Sequence, residues 1–325
     1  MRVTFLGKGG SGKTTMATSF IKYLNKSNKK VLAIDADINV HLADALNMDT
    51  KFLGDSFEEI SNYFEHKRIL QGKAIIGSTP PCYDSKFIKP TFDDVFFKCL
   101  ATFKENIAML TIGSYTDKKV GFACYHSKLG NAVLIYNRLL DDKHLFVVTD
   151  ATAGIDSVGT SMFCVSDVNI FVVEPTKKSV EVYKDFKKVI KDFKIKTMVI
   201  ANKIVDEDDI NFIKSEIDEK DILGFVKESK LLKRYEQGDV SNLDTFVDEN
   251  EEINKKLLDL LENTDKDWDN YYSMIKKIYV NDAKDWYSQY YGQDLPSFLD
   301  SNFSYKEIIK KWSFLPKQLC KWICC

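Results

Sequence analysis

The residues with the most specific chemistry lie close to the start of the chain. A short apolar run leads into Gly7-Lys8-Gly9-Gly10-Ser11-Gly12-Lys13-Thr14, and a helical pattern follows. The spacing is that of a phosphate-binding loop, in which glycines let backbone N–H groups approach an anion. The lysine binds the β- and γ-phosphates, and the threonine hydroxyl binds Mg²⁺. The alternative is a glycine-rich turn without a ligand. The predicted nucleotide-binding residues are Gly9, Gly10, Ser11, Gly12, Lys13, Thr14 and Thr15.

Acidic residues follow two other apolar runs. Asp35 and Asp37 lie in Ile34-Asp35-Ala36-Asp37-Ile38-Asn39, and Asp150 follows Leu145–Thr149. In parallel sheets the carboxyl ends of the strands face the ligand. One carboxylate can hold the water shell of Mg²⁺, and another can orient an attacking water molecule. The alternative for Asp35 and Asp37 is capping of the next helix.

The second lysine of the loop, Lys8, makes the motif more specific. The form Lys-Gly-Gly-x-Gly-Lys-Thr resembles the deviant Walker A family, which contains ParA and MinD ATPases, ArsA-type ATPases, nitrogenase iron protein and CooC nickel-insertion ATPases. In that family this lysine reaches across a homodimer to the partner's nucleotide. The resemblance implies the same for Lys8, where a cation would stabilise developing charge as an arginine finger does. The alternative is a solvated loop charge.

The same resemblance assigns roles to the acidic residues and to one asparagine. It implies that Asp37 is catalytic, together with Lys8 and Lys13, and that Asp35 and Asp150 lie near Mg²⁺ with Thr14. Asp150-Ala151-Thr152-Ala153-Gly154 resembles the family's switch II, in which the Gly154 N–H senses the γ-phosphate. Asn202 corresponds to an adenine-contacting asparagine, and a turn-forming asparagine is the alternative.

Local matches favour the CooC branch of the family. They are Asp35–Asn39, Asp150–Asp156, Val172–Thr176 and Ala201–Lys203. CooC has a Cys-x-Cys pair ahead of switch II, whereas this chain has Cys124 with Phe122 in the first position and His126 nearby. Two copies of Cys124 and His126 would suit Zn²⁺ or Ni²⁺ at a dimer interface. A single thiol beside a surface histidine is the simpler interpretation.

The predicted strands and helices that position these residues alternate in a βαβ pattern. Apolar runs rich in Val and Ile alternate with helical patterns such as Thr14–Asn25, Asn131–Leu140 and Val180–Phe193. We predict an α/β fold with a doubly wound, mostly parallel sheet. The predicted strands are Val3–Leu6, Val31–Asp35, Ala74–Gly77, Ala108–Ile112, Leu145–Thr149, Asn169–Val173, Met198–Ala201 and Ile222–Phe225.

The chain changes character after about Asp239. We predict a P-loop domain over residues 1–240 and a helical, aromatic-rich extension over 241–325, because apolar residues there recur at helical spacing. The extension either packs on the first domain or forms a separate recognition module. Its terminal Cys320, Cys324 and Cys325 have no predicted role.

The composition bears on the binding partners and the cellular compartment of the protein. The net charge of −2 does not indicate binding to nucleic acid or to an anionic membrane, although it is compatible with a local basic patch. Seven cysteines without a regular framework, and no signal peptide, predict reduced thiols in a cytoplasmic protein. No apolar run is long enough to span a bilayer.

Three functions fit these observations. The first is a homodimeric, ATP-hydrolysing switch that delivers a metal or matures a client protein, with slow, partner-stimulated hydrolysis. The second is a positioning ATPase that binds DNA or a membrane surface. The third is a nucleotide sensor without catalysis.

Overall fold

The structure, a computed structural model, describes residues 1–70, 72–114, 125–154, 156–159, 161–237, 239 and 241–313. Of residues 65–70, 125–127, 156, 236, 241, 312 and 313 it describes the backbone only.

A twisted sheet forms the centre of the described chain. Its strand order is β3-β4-β2-β5-β1-β6-β7-β8, and every neighbouring pair is parallel except β3 and β4. The central strands β1, β5 and β6 are buried along their whole length, as expected for strands covered on both faces. The strands are β1 Arg2–Gly7, β2 Lys30–Ala36, β3 Thr102–Lys104, β4 Ile107–Thr111, β5 Leu145–Ala151, β6 Val168–Val173, β7 Lys196–Ile204 and β8 Ile222–Lys227.

Helices cover both faces of the sheet. Alternate residues of β2 enter different apolar clusters, with Val31 and Ala33 on one face and Leu32 and Ile34 on the other. The helices are α1 Lys13–Lys26, α2 His41–Leu46, α3 Phe57–Leu70, α4 Val95–Leu100, α5 Tyr125–Tyr136, α6 Asp156–Gly159, α7 Lys177–Val189, α8 Glu207–Glu216, α9 Lys230–Glu236, α10 Ser241–Glu249, α11 Glu251–Glu262, α12 Trp268–Asp282, α13 Ser288–Tyr291 and α14 Tyr305–Ser313. The predicted doubly wound α/β class is confirmed.

One predicted strand is wrong and one strand was missed. Ala74–Gly77 is irregular, because its backbone is satisfied by side chains: Ile76 N–H donates to Thr79 Oγ1 and Ala74 N–H to Gln293 Oε1. The run is apolar because Ile76 is buried, not because it joins the sheet. The edge strand β3 has three residues, too few to show a pattern.

The C-terminal helices pack directly on the sheet domain. Leu257 of α11 lies in the same apolar cluster as Phe20 of α1. On the other face, Tyr271 of α12 and Tyr305 of α14 share a cluster with Phe186 of α7. Of the two arrangements that the sequence left open, the described helices adopt the packed one. A division of the chain at residue 240 stays a prediction.

Within the described residues, none of the helices combines the length and the apolar composition needed to cross a bilayer.

Candidate nucleotide site

The phosphate loop between β1 and α1 has a shape that requires glycine. Gly10 and Gly12 adopt φ angles of 81° and 95°, in the left-handed region that other residues rarely enter. A Cβ atom on Gly12 would lie 2.2 Å from Nδ2 of Asn202. The Cβ position of Gly9 lies 3.9 Å from Cβ of Ala153, so the loop also touches the predicted switch II. The sequence motif therefore folds into a tightly packed loop.

The start of α1 is arranged to receive an anion. Its N-cap residue is Gly12, which has no side chain to accept from the free N–H groups of the first turn. Ser11 Oγ is buried without a partner. The positive end of the helix dipole and the side chain of Lys13 lie beside these donors. The donor set fits a phosphate chain. Thr15, in the same turn, lines a cavity of about 270 Å³ with His41 and Tyr235.

Thr14 and Asp150 form the part of the site that suits Mg²⁺. Thr14 Oγ1 donates to Asp150 Oδ2 at 2.6 Å, and Asp150 Oδ1 is buried without a partner. Burial raises the pKa of Asp150 to about 7, opposed by Lys13 and by the Thr14 hydrogen bond. A hard cation that prefers oxygen ligands and keeps several waters would satisfy the unpaired oxygen. Among described residues no group of three or more His, Cys, Asp or Glu is gathered for a metal, so phosphate and water would supply the other ligands.

Asp35 braces the loop after β2. Its Oδ1 accepts from the Asp37 N–H at 3.3 Å, and its Oδ2 accepts from the Leu42 N–H at 3.1 Å. Burial, and then the neighbouring Asp150, raises the pKa of Asp35 to about 8. Because both oxygens already accept from the backbone, Asp35 holds the loop after β2 in this conformation. Its predicted contact with the Mg²⁺ shell stays a prediction.

Asp37 presents one fixed and one available oxygen. Its Oδ1 accepts from both the N–H and Nδ2 of Asn39, each at 3.0 Å. Its Oδ2 lies 3.9 Å from Lys13 Nζ, and both side chains are largely buried. The catalytic role of Asp37 stays a prediction. Asn39 was part of the recognised motif, but the motif did not reveal that it orients this carboxylate.

Lys8 pairs within the same chain with a residue that the sequence did not single out. Its Nζ lies 3.5 Å from Oε2 of Glu174, at the end of β6. The other oxygen of Glu174 pairs with Lys203 Nζ at 2.6 Å, and Lys203 Nζ also donates to the Gly10 carbonyl at 2.7 Å. Glu174 therefore bridges two lysines beside the phosphate loop, which we call the Glu174 bridge.

Two groups that are predicted to contact ATP have other hydrogen-bond partners in this structure. The Gly154 N–H, predicted to sense the γ-phosphate, donates to the Gly7 carbonyl at 2.9 Å. Asn202 Nδ2 donates to the Ser11 carbonyl at 2.9 Å, while its Oδ1 is buried and unpaired. That oxygen is an acceptor suited to the amino group of adenine, whereas guanine offers a carbonyl at the same position.

The predicted transition-metal residues are not placed. Cys124 and the terminal Cys320, Cys324 and Cys325 lie outside the described residues, and only the backbone of His126 is described, in α5. The Zn²⁺ or Ni²⁺ site stays a prediction.

The family model of the CobQ/CobB/MinD/ParA nucleotide-binding domain matches residues 3–241. The chain belongs to this family. The predicted membership is therefore confirmed, and the phosphate loop described above is that of a MinD/ParA-type P-loop ATPase domain. The extension beyond residue 241 lies outside the match.

Relatives and solved structures agree with the family. The uncharacterized ATP-binding protein MJ0823 of Methanocaldococcus jannaschii is 32% identical over 252 residues, which cover 75% of this chain and 92% of the relative. The carbon monoxide dehydrogenase accessory protein CooC of Rhodospirillum rubrum is 26% identical over 245 residues, covering 75% and 90%. The septum site-determining protein MinD of Pyrococcus horikoshii OT3, solved with Mg-ADP, superposes with a TM-score of 0.50 at 18% identity over 79% of this chain and 95% of that one. This last likeness is one of fold.

Proposed function

We propose that this MinD/ParA-family protein is a homodimeric switch that hydrolyses ATP and acts on a client protein as a maturation or delivery factor. The arrangement of Asp37 carries the proposal: one oxygen is fixed by Asn39, and the other faces Lys13. A nucleotide sensor without catalysis has no need of an oriented, available carboxylate at this point. The likeness to a carbon monoxide dehydrogenase accessory protein supports an action on another protein.

The residues divide the chemistry among them. Lys13 and the first-turn N–H groups of α1 bind the phosphate chain, and Asn202 Oδ1 accepts from the adenine amino group. Thr14 and Asp150 would hold Mg²⁺, which would neutralise charge on the phosphate oxygens. Asp37 Oδ2 accepts a hydrogen bond from the attacking water and so orients it. Lys8 leaves the Glu174 bridge and reaches the nucleotide of the partner subunit.

Single-turnover hydrolysis tests the catalytic part of the proposal. We expect Asp37→Ala to lower the rate of phosphate release by about 10²–10⁴-fold while ATP binding is retained, because it removes the group that orients water. Lys13→Ala should abolish binding as well. Radiolabelled ATP, with binding and release measured separately, distinguishes the two. Absence of phosphate release by wild type above background would leave a nucleotide sensor as the better description, whereas equal release by wild type and Asp37→Ala would contradict the role of Asp37.

Glu174→Gln tests whether the Glu174 bridge restrains dimer formation. The substitution removes the charge that holds Lys8, and a partly exposed pair of this kind is worth about 0.2–1 kcal/mol. With two bridges per dimer, we expect the concentration needed for dimerisation in a non-hydrolysable ATP analogue to fall roughly two- to thirtyfold. Sedimentation measures this, and Glu181→Gln on α7, an exposed residue, is the control for the loss of one negative charge. An unchanged or weakened dimer would contradict a restraining role.

A further inference from the structure

A large cleft lies at the opposite edge of the sheet from the nucleotide site. It has a volume of about 1300 Å³ and is lined by the start of β2, the loop before β5, the segment 85–91 and the start of α4. These are the amino ends of the parallel strands, whereas the phosphate loop follows the carboxyl end of β1. The cleft is therefore a separate feature from the nucleotide site.

The cleft is basic although the protein is slightly acidic. Its lining contains six lysines and one histidine against three aspartates, in a chain whose net charge is −2. The lysines are Lys29, Lys30, Lys86, Lys89, Lys98 and Lys143. A concave surface with an excess of one sign of charge concentrates ligands of the opposite sign.

The three aspartates offset only part of this charge. Asp94 caps α4, because its two oxygens accept from the N–H groups of Phe96 and Lys89 at 2.8 and 3.0 Å. Asp142 Oδ1 accepts from the His144 N–H at 2.7 Å. Asp93 pairs with Lys98 at 3.3 Å. Within the described part of the chain, three exposed lysines of the lining form no ion pair: Lys30, Lys86 and Lys143.

Two of these three lysines lie against aromatic rings. Lys86 Nζ is 4.6 Å from the centre of the Tyr63 ring, and Lys30 Nζ is 5.7 Å from that of Phe92. A cation–π contact holds an ammonium group in place without cancelling its charge. At Tyr63, which lines the cleft, it also covers a ring face on which a nucleobase would stack. Val95, at the start of α4, is 49% exposed and offers a ligand in the cleft an apolar contact.

We propose that this cleft, formed around Lys30, Lys86 and Lys143, binds an acidic peptide segment of a partner protein. Carboxylates of the segment pair with the three ammonium groups, and an apolar side chain packs on Val95. The covered ring of Tyr63 favours a peptide over a single-stranded nucleic acid. The site does not depend on ATP hydrolysis, so it stands or falls separately from the proposed function.

Fluorescence anisotropy with two labelled probes tests the site on the full chain at low salt. One probe is a fluorescein-labelled peptide of repeated Glu-Asp-Leu, and the other is fluorescein-labelled oligothymidine. The cleft variant is Lys30→Gln/Lys86→Gln/Lys143→Gln. The control variant removes the same charge from exposed lysines elsewhere, as Lys178→Gln/Lys191→Gln/Lys255→Gln. Retained ATP binding shows that each variant is folded.

We expect the peptide to bind wild type and the control variant alike, to bind the cleft variant roughly tenfold more weakly, and to be released by added salt. Absence of peptide binding to wild type, or equal weakening in the two variants, would overturn the proposal. So would oligothymidine binding that is tighter than peptide binding and is lost in the cleft variant, since the cleft would then be a nucleic-acid site.

Discussion

Replacing Lys8 by alanine is expected to lower the rate of ATP hydrolysis by about 10³-fold without preventing ATP binding. A cation supplied in trans to a phosphoryl-transfer site is worth about 10³–10⁵ in rate, and a lysine, as a single point charge, falls at the lower end. ATP binding is retained because Lys13 and the N–H groups at the start of α1 do not involve Lys8. Steady-state phosphate release and ATP affinity measure the two effects.

Mixing variants shows on which subunit Lys8 acts. In a heterodimer of Lys8→Ala and Asp37→Ala, one site keeps its own Asp37 and receives an intact Lys8 from the partner subunit. Random pairing makes about half of the dimers mixed, each with one working site, so the mixture should recover roughly a quarter of wild-type activity. If Lys8 acts only on its own nucleotide, neither site of the mixed dimer is complete and no activity returns. A mixture of Lys8→Ala with Lys8→Ala/Asp37→Ala is the inactive control.

The phosphate loop and the positions of Asp37 and Asp150 could be predicted because they depend on local backbone. Gly12 needs a left-handed conformation. Asp37 follows β2 and Asp150 lies near the end of β5, and the carboxyl ends of these paired strands meet at one edge. Such features depend on short segments of the sequence. The parallel sheet followed for the same reason, since continuous apolar runs are typical of strands buried on both faces. That rule failed at Ala74–Gly77, where burial came from irregular chain.

The partners of these residues could not be predicted, because tertiary contacts supply them. Glu174 lies 166 positions from Lys8 in the chain, and only the pairing of β1 with β6 brings them together. Asn202 was expected to contact adenine, yet its amide nitrogen also ties the phosphate loop to the end of β7. The sequence did not indicate the burial of Arg2, since a charged residue at the start of a strand is expected to be exposed. It is fully buried.

Substitution of Asp141 by asparagine is expected to lower the free energy of unfolding by about 3–5 kcal/mol, because it leaves buried cations without their counter-charge. Arg2 Nε lies 2.7 Å from Asp141 Oδ1, and Lys266 Nζ lies 2.9 Å from Oδ2. Arg2 is fully buried, and the side chain of Lys266 is 10% exposed. Urea unfolding measures the loss. Glu252→Gln, which breaks an exposed pair with Lys256, is the control and should cost less than about 0.5 kcal/mol.

The pH dependence of this difference gives an independent check. Burial would raise the pKa of Asp141, but Arg2, and then Lys266 and the N-terminal ammonium, outweigh it and hold the pKa well below its usual range. A carboxylate with a lowered pKa in the folded state contributes stability that is complete above its unfolded pKa of about 3.9 and is lost as pH falls further. The gap between wild type and Asp141→Asn should therefore shrink as the pH falls below about 4. A gap that persists in acid would point to lost packing instead.

The same group of charges explains why the C-terminal extension is tied to the P-loop domain. Lys266 precedes α12 and pairs with both Asp141 and Asp167, and Asp167 also accepts from the Arg2 N–H at 2.8 Å. The rings of Trp268 and Tyr271 lie 5.9 and 5.4 Å from the Arg2 guanidinium. The second residue of the chain is thus enclosed by residues from the extension. Asp141 joins Arg2 to Lys266, so its loss should loosen α12 as well as β1. A single cooperative unfolding transition in Asp141→Asn would mean that α12 and β1 still unfold together.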